Sequence, residues 1–180
     1  LLYFSRLTPI KGLDMLAEAW SKLQPKFPNW KLQMVGPDDR GYADKVKRMF
    51  RDKCSAEGYS IEGPVFGDEK MSVLRSADAL VLPTRSENWS IVVAEAMASG
   101  LPVVCTKGAP WECLNDVNAG AWVNITVAGI CAGLEKVLSA SDDERIAMGE
   151  RGREWVKANL NWKMIAEKLV EHYKELKGAS

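Results

Sequence analysis

Residues 77–105 read ADALVLPTRSENWSIVVAEAMASGLPVVC, and the order of patterns in this stretch decides the fold. Residues 79–82 (ALVL) are apolar without alternation, as in a strand covered on both faces. Pro83 ends that strand. Residues 90–99 carry a helical pattern that stops at Gly100. Residues 102–105 (PVVC) form a second apolar strand. Strand, helix and strand in so short a span make a crossover unit, which joins parallel strands.

The same alternation extends outward in both directions. Residues 1–5 (LLYFS) read as a strand, and residues 12–23 as a helix with Leu13, Leu16, Ala17, Trp20 and Leu23 on one stripe. Pro25 and Pro28 terminate it. Residues 30–35 predict a strand stopped by Gly36-Pro37. Residues 42–57 predict a charged helix, 60–63 a brief strand and 69–76 a short helix. Downstream, residues 110–115 suggest a helical turn and 121–123 a last strand. Residues 130–138 read as a helix. Ser141 to Glu144 supply capping chemistry before a helix over 145–157. Asn161 then caps a helix over 162–177, and residues 178–180 read as a frayed tail. The pattern is that of an α/β protein, a doubly wound Rossmann-like parallel sheet with helices on both faces.

At 180 residues the chain is one domain long and can bury a sizeable core. Its 24 basic and 24 acidic side chains cancel, so no global field recruits nucleic acid or an anionic membrane. No apolar run is long enough to span a bilayer. The four cysteines show no CxxC spacing and read as reduced thiols in a cytoplasmic protein. The opening LLYFSRL enters a strand without a Met, as expected of a piece of a longer protein.

Several chemistries find no support. There is no GxGxxG fingerprint and no GxSxG elbow. Residues 36–41 have P-loop glycine spacing, but Tyr42 stands where lysine is needed. His172, alone on the terminal helix, reads as a surface or packing residue. Asp38-Asp39 and Asp142-Asp143-Glu144 read as a turn and a cap rather than metal ligands. No DxD metal motif occurs.

Two segments carry positive signals. Ser5 to Gly12 (SRLTPIKG) follows the first strand and precedes the first helix. In a doubly wound sheet, ligands bind outside the carboxyl ends of the strands. Arg6 and Lys11 therefore sit where an anionic ligand would, beside a helix N-terminus; two solvated surface charges are the alternative. The second segment runs from Pro83 to Glu95. The amides around residues 89–92 open a helix at the same end of the sheet. Glu87 precedes that helix. Glu95 lies within it among Val92, Val93, Ala96 and Met97, where a carboxylate needs partners. Sugar hydroxyls would suit it; so would Arg6, Lys11 or Arg85.

At these residues the chain resembles the C-terminal, donor-binding half of a retaining GT-B glycosyltransferase of the large family 4. The segments carrying the resemblance are SRLTPIKG, the MVG strand end, GPVFGDEKM…RSADALVLPT and ENWSIVVAEAMASGLPVV. The last holds the family's two glutamates with seven residues between them, here Glu87 and Glu95. The resemblance covers nearly the whole chain. It implies a nucleotide-sugar donor as substrate, with Arg6 and Lys11 on the diphosphate, Glu95 on the ribose and Glu87 on the hexose. The amides of Trp89, Ser90 and Ile91 would bind the distal phosphate and sugar. Val65, Phe66 and Pro83 would lie by the base, and Asn88 completes the donor-binding set. Arg6, Lys11 and Glu87 would be catalytic. Trp89 and Ser90 depart from the phenylalanine and glycine usual there, which bears on the sugar.

The resemblance further implies one nucleotide-sugar-binding domain over residues 1–180, with C-terminal helices over 142–177. The acceptor would sit on an N-terminal domain preceding Leu1, so this piece alone would transfer nothing. No metal or other cofactor is required, because Arg6 and Lys11 supply the positive charge. Membrane contact would be peripheral, at the inner face, and would belong to the full-length protein. Competing readings are a GT-B nucleotide-sugar epimerase and a non-catalytic nucleotide-binding module.

Overall fold

A computed structural model of the chain describes residues 1–161, 166 and 169–175. Six strands form one sheet: β1 (Leu2–Phe4), β2 (Leu32–Val35), β3 (Tyr59–Glu62), β4 (Leu80–Leu82), β5 (Val103–Thr106) and β6 (Gly120–Val123). Their spatial order is β3-β2-β1-β4-β5-β6, and every neighbouring pair is parallel. The strands are short, and the central ones are apolar. All residues of β4 and β5 are buried, as expected where helices cover both faces.

The connections are helices α1 (Leu13–Leu23), α2 (Tyr42–Lys53), α3 (Gly67–Ser76), α4 (Ile91–Ala98) and α5 (Cys113–Asp116). Helices α6 (Val127–Leu138) and α7 (Asp142–Asn159) follow the last strand. Helix α6 packs on α1, and α7 packs on α4. The α4–α7 approach is close: a Cβ on Gly149 would lie 1.8 Å from the Gly100 carbonyl oxygen. Trp20 and Trp111 are fully buried, and the Trp20 indole N–H donates to the Gly58 carbonyl at 3.0 Å.

The winding reverses between β1 and β4. From β1 the chain steps to β2 and β3, then returns to lay β4 on the other side of β1. The loops leaving β1 and β4, residues 5–12 and 83–90, emerge there side by side as the two lips of the switch-point crevice, at the carboxyl ends of the two central strands.

Several element boundaries differ from expectation by one to four residues, among them the helical turn expected over 110–115, which is α5 at Cys113–Asp116, and three of the shifts have a local cause. Helix α2 ends at Lys53 rather than residue 57. The Gln24 side chain takes both backbone groups of Ser55, accepting its N–H at 3.0 Å and donating to its carbonyl at 3.3 Å. Cys54 is thereby extended, and residues 56–58 form a separate 3-10 turn. Helix α6 begins three residues before the expected 130, because the Thr126 side chain accepts from the Gly129 N–H. Helix α7 begins at Asp142. Ser141 and Glu144 form a reciprocal capping box, so the acidic residues make the first helical turn. Of the helix expected over 162–177, residues 166 and 169–175 are helical. The rest of it, and the expected tail, lie outside the described residues. His172 is exposed.

Candidate functional site at the strand switch point

The loop after β1 is held at both ends. The buried Tyr3 hydroxyl donates to the Arg6 carbonyl at 2.7 Å, and burial keeps that phenol protonated. Leu7 pairs in parallel with Asp38, and its N–H donates to the Pro37 carbonyl at 2.9 Å. This carries the β1–β2 pairing beyond the strands. Residues 9–11 make a 3-10 turn that ends at Gly12, with φ 70° and ψ 25°. A Cβ there would meet the Pro83 carbonyl oxygen at 2.0 Å, so only glycine fits.

The loop after β4 is bolted to the first. The Arg85 N–H donates to the Ile10 carbonyl at 2.8 Å, and the buried Thr84 hydroxyl faces the same oxygen at 3.3 Å. The Arg85 guanidinium grips Asp14 with two hydrogen bonds, at 2.9 and 2.7 Å, and reaches the Pro9 carbonyl at 2.9 Å. That contact holds the Asp14 carboxyl below the usual carboxylate range. The Glu87 N–H donates to the Gly108 carbonyl at 2.7 Å.

These clamps bring Lys11 and Glu87, 76 residues apart, into a direct ion pair. Its side chains are only 5% and 19% exposed. Two of the expected site residues thus meet at the switch point. Beyond them lies the start of α4. Ser90 caps it in the left-handed region, at φ 66° and ψ 80°, without using its side chain. Among the described residues, the N–H groups of Ser90, Ile91 and Val92 donate to no backbone carbonyl. They are the free donors of a helix start. The exposed Trp89 ring packs on Trp111 at a tilt of 49° with centroids 4.8 Å apart, and Trp111 meets Trp155 of α7 edge-on at 6.1 Å. The Trp111 indole N–H also donates to the Trp89 carbonyl. Asn88 is exposed beside them.

Glu95 has a partner, but not Arg6, Lys11 or Arg85. Its Oε1 accepts from Lys70 of α3 at 2.6 Å, while its Oε2 is buried without a hydrogen bond among the described residues. The Lys70 ammonium also stands 5.8 Å from the centre of the Phe4 ring, at the end of β1. Lys70 was not among the expected site residues. A lysine in a short charged helix reads as solvated, and only the need of Glu95 for a partner pointed toward it.

Arg6 is exposed and forms no ion pair among the described residues. It lines an open depression of about 700 Å³ on the α2 side of its loop. Lys11, Glu87 and Glu95 do not line that depression. Val65 is half-buried and Phe66 is 75% exposed, on the loop after β3. Pro83 is buried against Gly12.

All four cysteines are free thiols. Burial pushes Cys105 up to about 12 and Cys54 up to about 11, so neither offers a thiolate nucleophile. Among the described residues there is no group of three or more His, Cys, Asp or Glu side chains suited to a metal. No described helix is long and apolar enough to cross a membrane.

Residues 1–140 match the family described as glycosyl transferases group 1. A GDP-mannose-dependent alpha-(1-6)-phosphatidylinositol monomannoside mannosyltransferase of Mycobacterium tuberculosis is 31% identical over 176 residues, which are 93% of this chain and 45% of that protein. The chain thus spans about half the length of that relative. Among solved structures, the C-terminal domain of a glycosyl transferase group 1 family protein from Francisella tularensis superposes with a TM-score of 0.71 at 24% identity, covering 89% of this chain and 86% of that one. A trehalose-6-phosphate protein of E. coli, bound with UDP-2-fluoro glucose, superposes with a TM-score of 0.68 at 19% identity, over 88% of this chain and 40% of that one. These structures share the fold, one Rossmann-like half of a GT-B glycosyltransferase. With its sheet order, its paired strand-end loops and the match over most of its length, the chain belongs to the glycosyl transferases group 1.

Proposed function

We propose that this chain is the nucleotide-sugar-binding part of a glycosyltransferase, which transfers a hexose from a nucleoside diphosphate to an acceptor with retention. The observation that supports this best is the Lys11–Glu87 contact at the switch point, beside the free amides of α4. A cation, a helix start and a carboxylate side by side suit a ligand with a phosphate at one end and hydroxyls at the other. In this reading Lys11 and Arg6 hold the diphosphate. The amides of Trp89, Ser90 and Ile91 hold its distal phosphate, and Glu87 accepts from the hexose. Glu95, anchored by Lys70, turns its carboxylate to the ribose on exchanging that partner. Val65, Phe66 and Pro83 border the base, and Asn88 lies by the sugar.

During transfer the bond from anomeric carbon to phosphate breaks, and negative charge grows on the leaving diphosphate. Fixed cations and amides already aimed at it lower the barrier without reorganising. Arg6 and Lys11 supply that charge, so the reading includes no metal. The acceptor is assigned to an N-terminal domain outside this chain. The protein is assigned to the cytoplasm, with peripheral contact at the inner face of a membrane.

The test is thermal unfolding of the chain with GDP, UDP, ADP and their sugar conjugates. GDP-mannose comes first because the mycobacterial relative is named for it. Ligand at a hundredfold its Kd stabilises by about 2.7 kcal/mol. A chain whose midpoint none of these compounds moves at millimolar concentration would overturn the reading.

A further inference from the structure

We propose that the side chains of Trp89 and Ser90 set the hexose specificity of the crevice: the indole covers the C–H face of the sugar ring, and the hydroxyl bonds one of its hydroxyls. The inference rests on the glycosyltransferase reading, which uses only the backbone amides of these two residues.

Trp89 supplies the apolar contact. It is 42% exposed, while Trp111 beneath it is fully buried. The two rings meet at a tilt of 49° with centroids 4.8 Å apart, and Trp111 leans edge-on against Trp155 of α7 at 6.1 Å. The Trp89 ring is therefore held from one side and wet on the other. A ring fixed in advance loses little freedom when a ligand arrives. A hexose has a rim of hydroxyls and a face of C–H groups. The negative face of an aromatic ring attracts those weakly positive hydrogens.

Ser90 supplies the polar contact. It opens α4 in the left-handed region, at φ 66° and ψ 80°. Among the described residues, Arg40 and Asn118 are the other non-glycine positions with positive φ. A side chain there is strained, where glycine would turn freely. Serine at a helix start commonly caps, its hydroxyl accepting from an amide in the first turn. The Ser90 hydroxyl caps nothing. Neighbouring contacts fix the turn instead. The Trp111 indole N–H donates to the Trp89 carbonyl, and the Glu87 N–H donates to the Gly108 carbonyl at 2.7 Å. The free amide and the hydroxyl of Ser90 hang from one Cα. A ligand whose phosphate takes the amide brings its next group within reach of the hydroxyl, and in a nucleotide sugar that group is the hexose. Glu87, 19% exposed, accepts from the same ring. An aromatic wall with a few placed polar groups is the usual make-up of a small-molecule site.

The test is calorimetric titration of the chain with GDP and GDP-mannose, and with UDP and UDP-glucose. The readout is the factor by which the hexose tightens binding over the bare nucleotide. Partial unfolding or a weakened diphosphate contact lowers both affinities and leaves that factor alone. Trp89→Ala and Ser90→Gly are each expected to lower it by about threefold to tenfold, the range for one aromatic contact or one hydrogen bond. Trp89→Phe keeps an aromatic face and is expected to keep most of the factor. Ser90→Gly keeps the amide, relieves the positive φ and is expected to melt no lower than the parent chain. A factor unchanged in both Trp89→Ala and Ser90→Gly overturns the proposal and leaves the donor reading standing. A fall in one variant alone overturns the role of the other residue. A parent chain that binds the sugar conjugates no more tightly than the bare nucleotides also overturns the proposal. A chain that binds none of the four overturns the donor reading with it.

Discussion

Two lysine–glutamate pairs stand at the same rim of the sheet, and burial divides them. Lys11–Glu87 is largely buried between the two central loops, with only an edge of Glu87 left to a ligand. Lys70–Glu95 joins neighbouring helices at 27% and 28% exposure. The first is part of the architecture: its loops are clamped by Arg85, Thr84 and Gly12, and removing either charge strands the other away from water. The second is cheaply broken, because solvent screens it. A pair of that kind can exchange its partner for a ligand at little cost. The more buried pair fixes the crevice, while the looser one exchanges partners with what enters at lower cost.

The sharpest way to break this contrast is Lys11→Met. It leaves the Glu87 carboxylate without its cation and is expected to cost about 3–5 kcal/mol in urea unfolding. The double variant Lys11→Met/Glu87→Leu is expected to recover most of that loss, since an apolar pair of similar volume replaces a buried ion pair well. Equal losses in single and double variants would mean that the packing of the lysine stem, not its charge, is what matters. Next in size is Gly12→Ala. It adds a Cβ against the Pro83 carbonyl at a positive φ and is expected to destabilise by about 1–3 kcal/mol, read from the same unfolding curve. An unchanged midpoint would show that the two lips are not pressed together.

A smaller effect, about 1 kcal/mol, is expected of Arg85→Lys, which loses the two-pronged grip on Asp14. The acid limb of stability sharpens this point. Asp14 titrates below its ordinary value in the folded chain. Its contribution is therefore full above the unfolded carboxylate pKa and fades as pH falls through the lower folded value. Arg85→Lys is expected to flatten that limb in pH-dependent melting. Smallest is Lys70→Met, expected to change stability by less than about 1 kcal/mol. A loss as large as that of Lys11→Met would erase the distinction between the two pairs.

The apolar runs of β4 and β5 announce a sheet covered on both faces, and Pro83, Gly100 and Gly36 mark where its elements stop. Boundaries slipped where side chains competed for backbone groups. Gln24 cuts α2 short from another element, a contact across 31 residues that no local pattern contains. Thr126 extends α6 by a cap that the apolar stripe alone hides. In the site, Glu95 is legible because a carboxylate among apolar helical residues demands an explanation. The meeting of Lys11 with Glu87 follows from parallel topology and from their place at strand ends. Lys70 is not legible. A lysine is unremarkable in a short charged helix, and its situation depends on which neighbours the fold supplies.

The contacting indoles of residues 89, 111 and 155 put fluorophores at the crevice, three of the seven tryptophans of the chain. Trp89 is solvent-facing at the lip, while the ring beneath it is sealed from water. Occupancy of the lip therefore changes the polarity around one of these indoles, and emission can follow filling of the crevice without any attached dye.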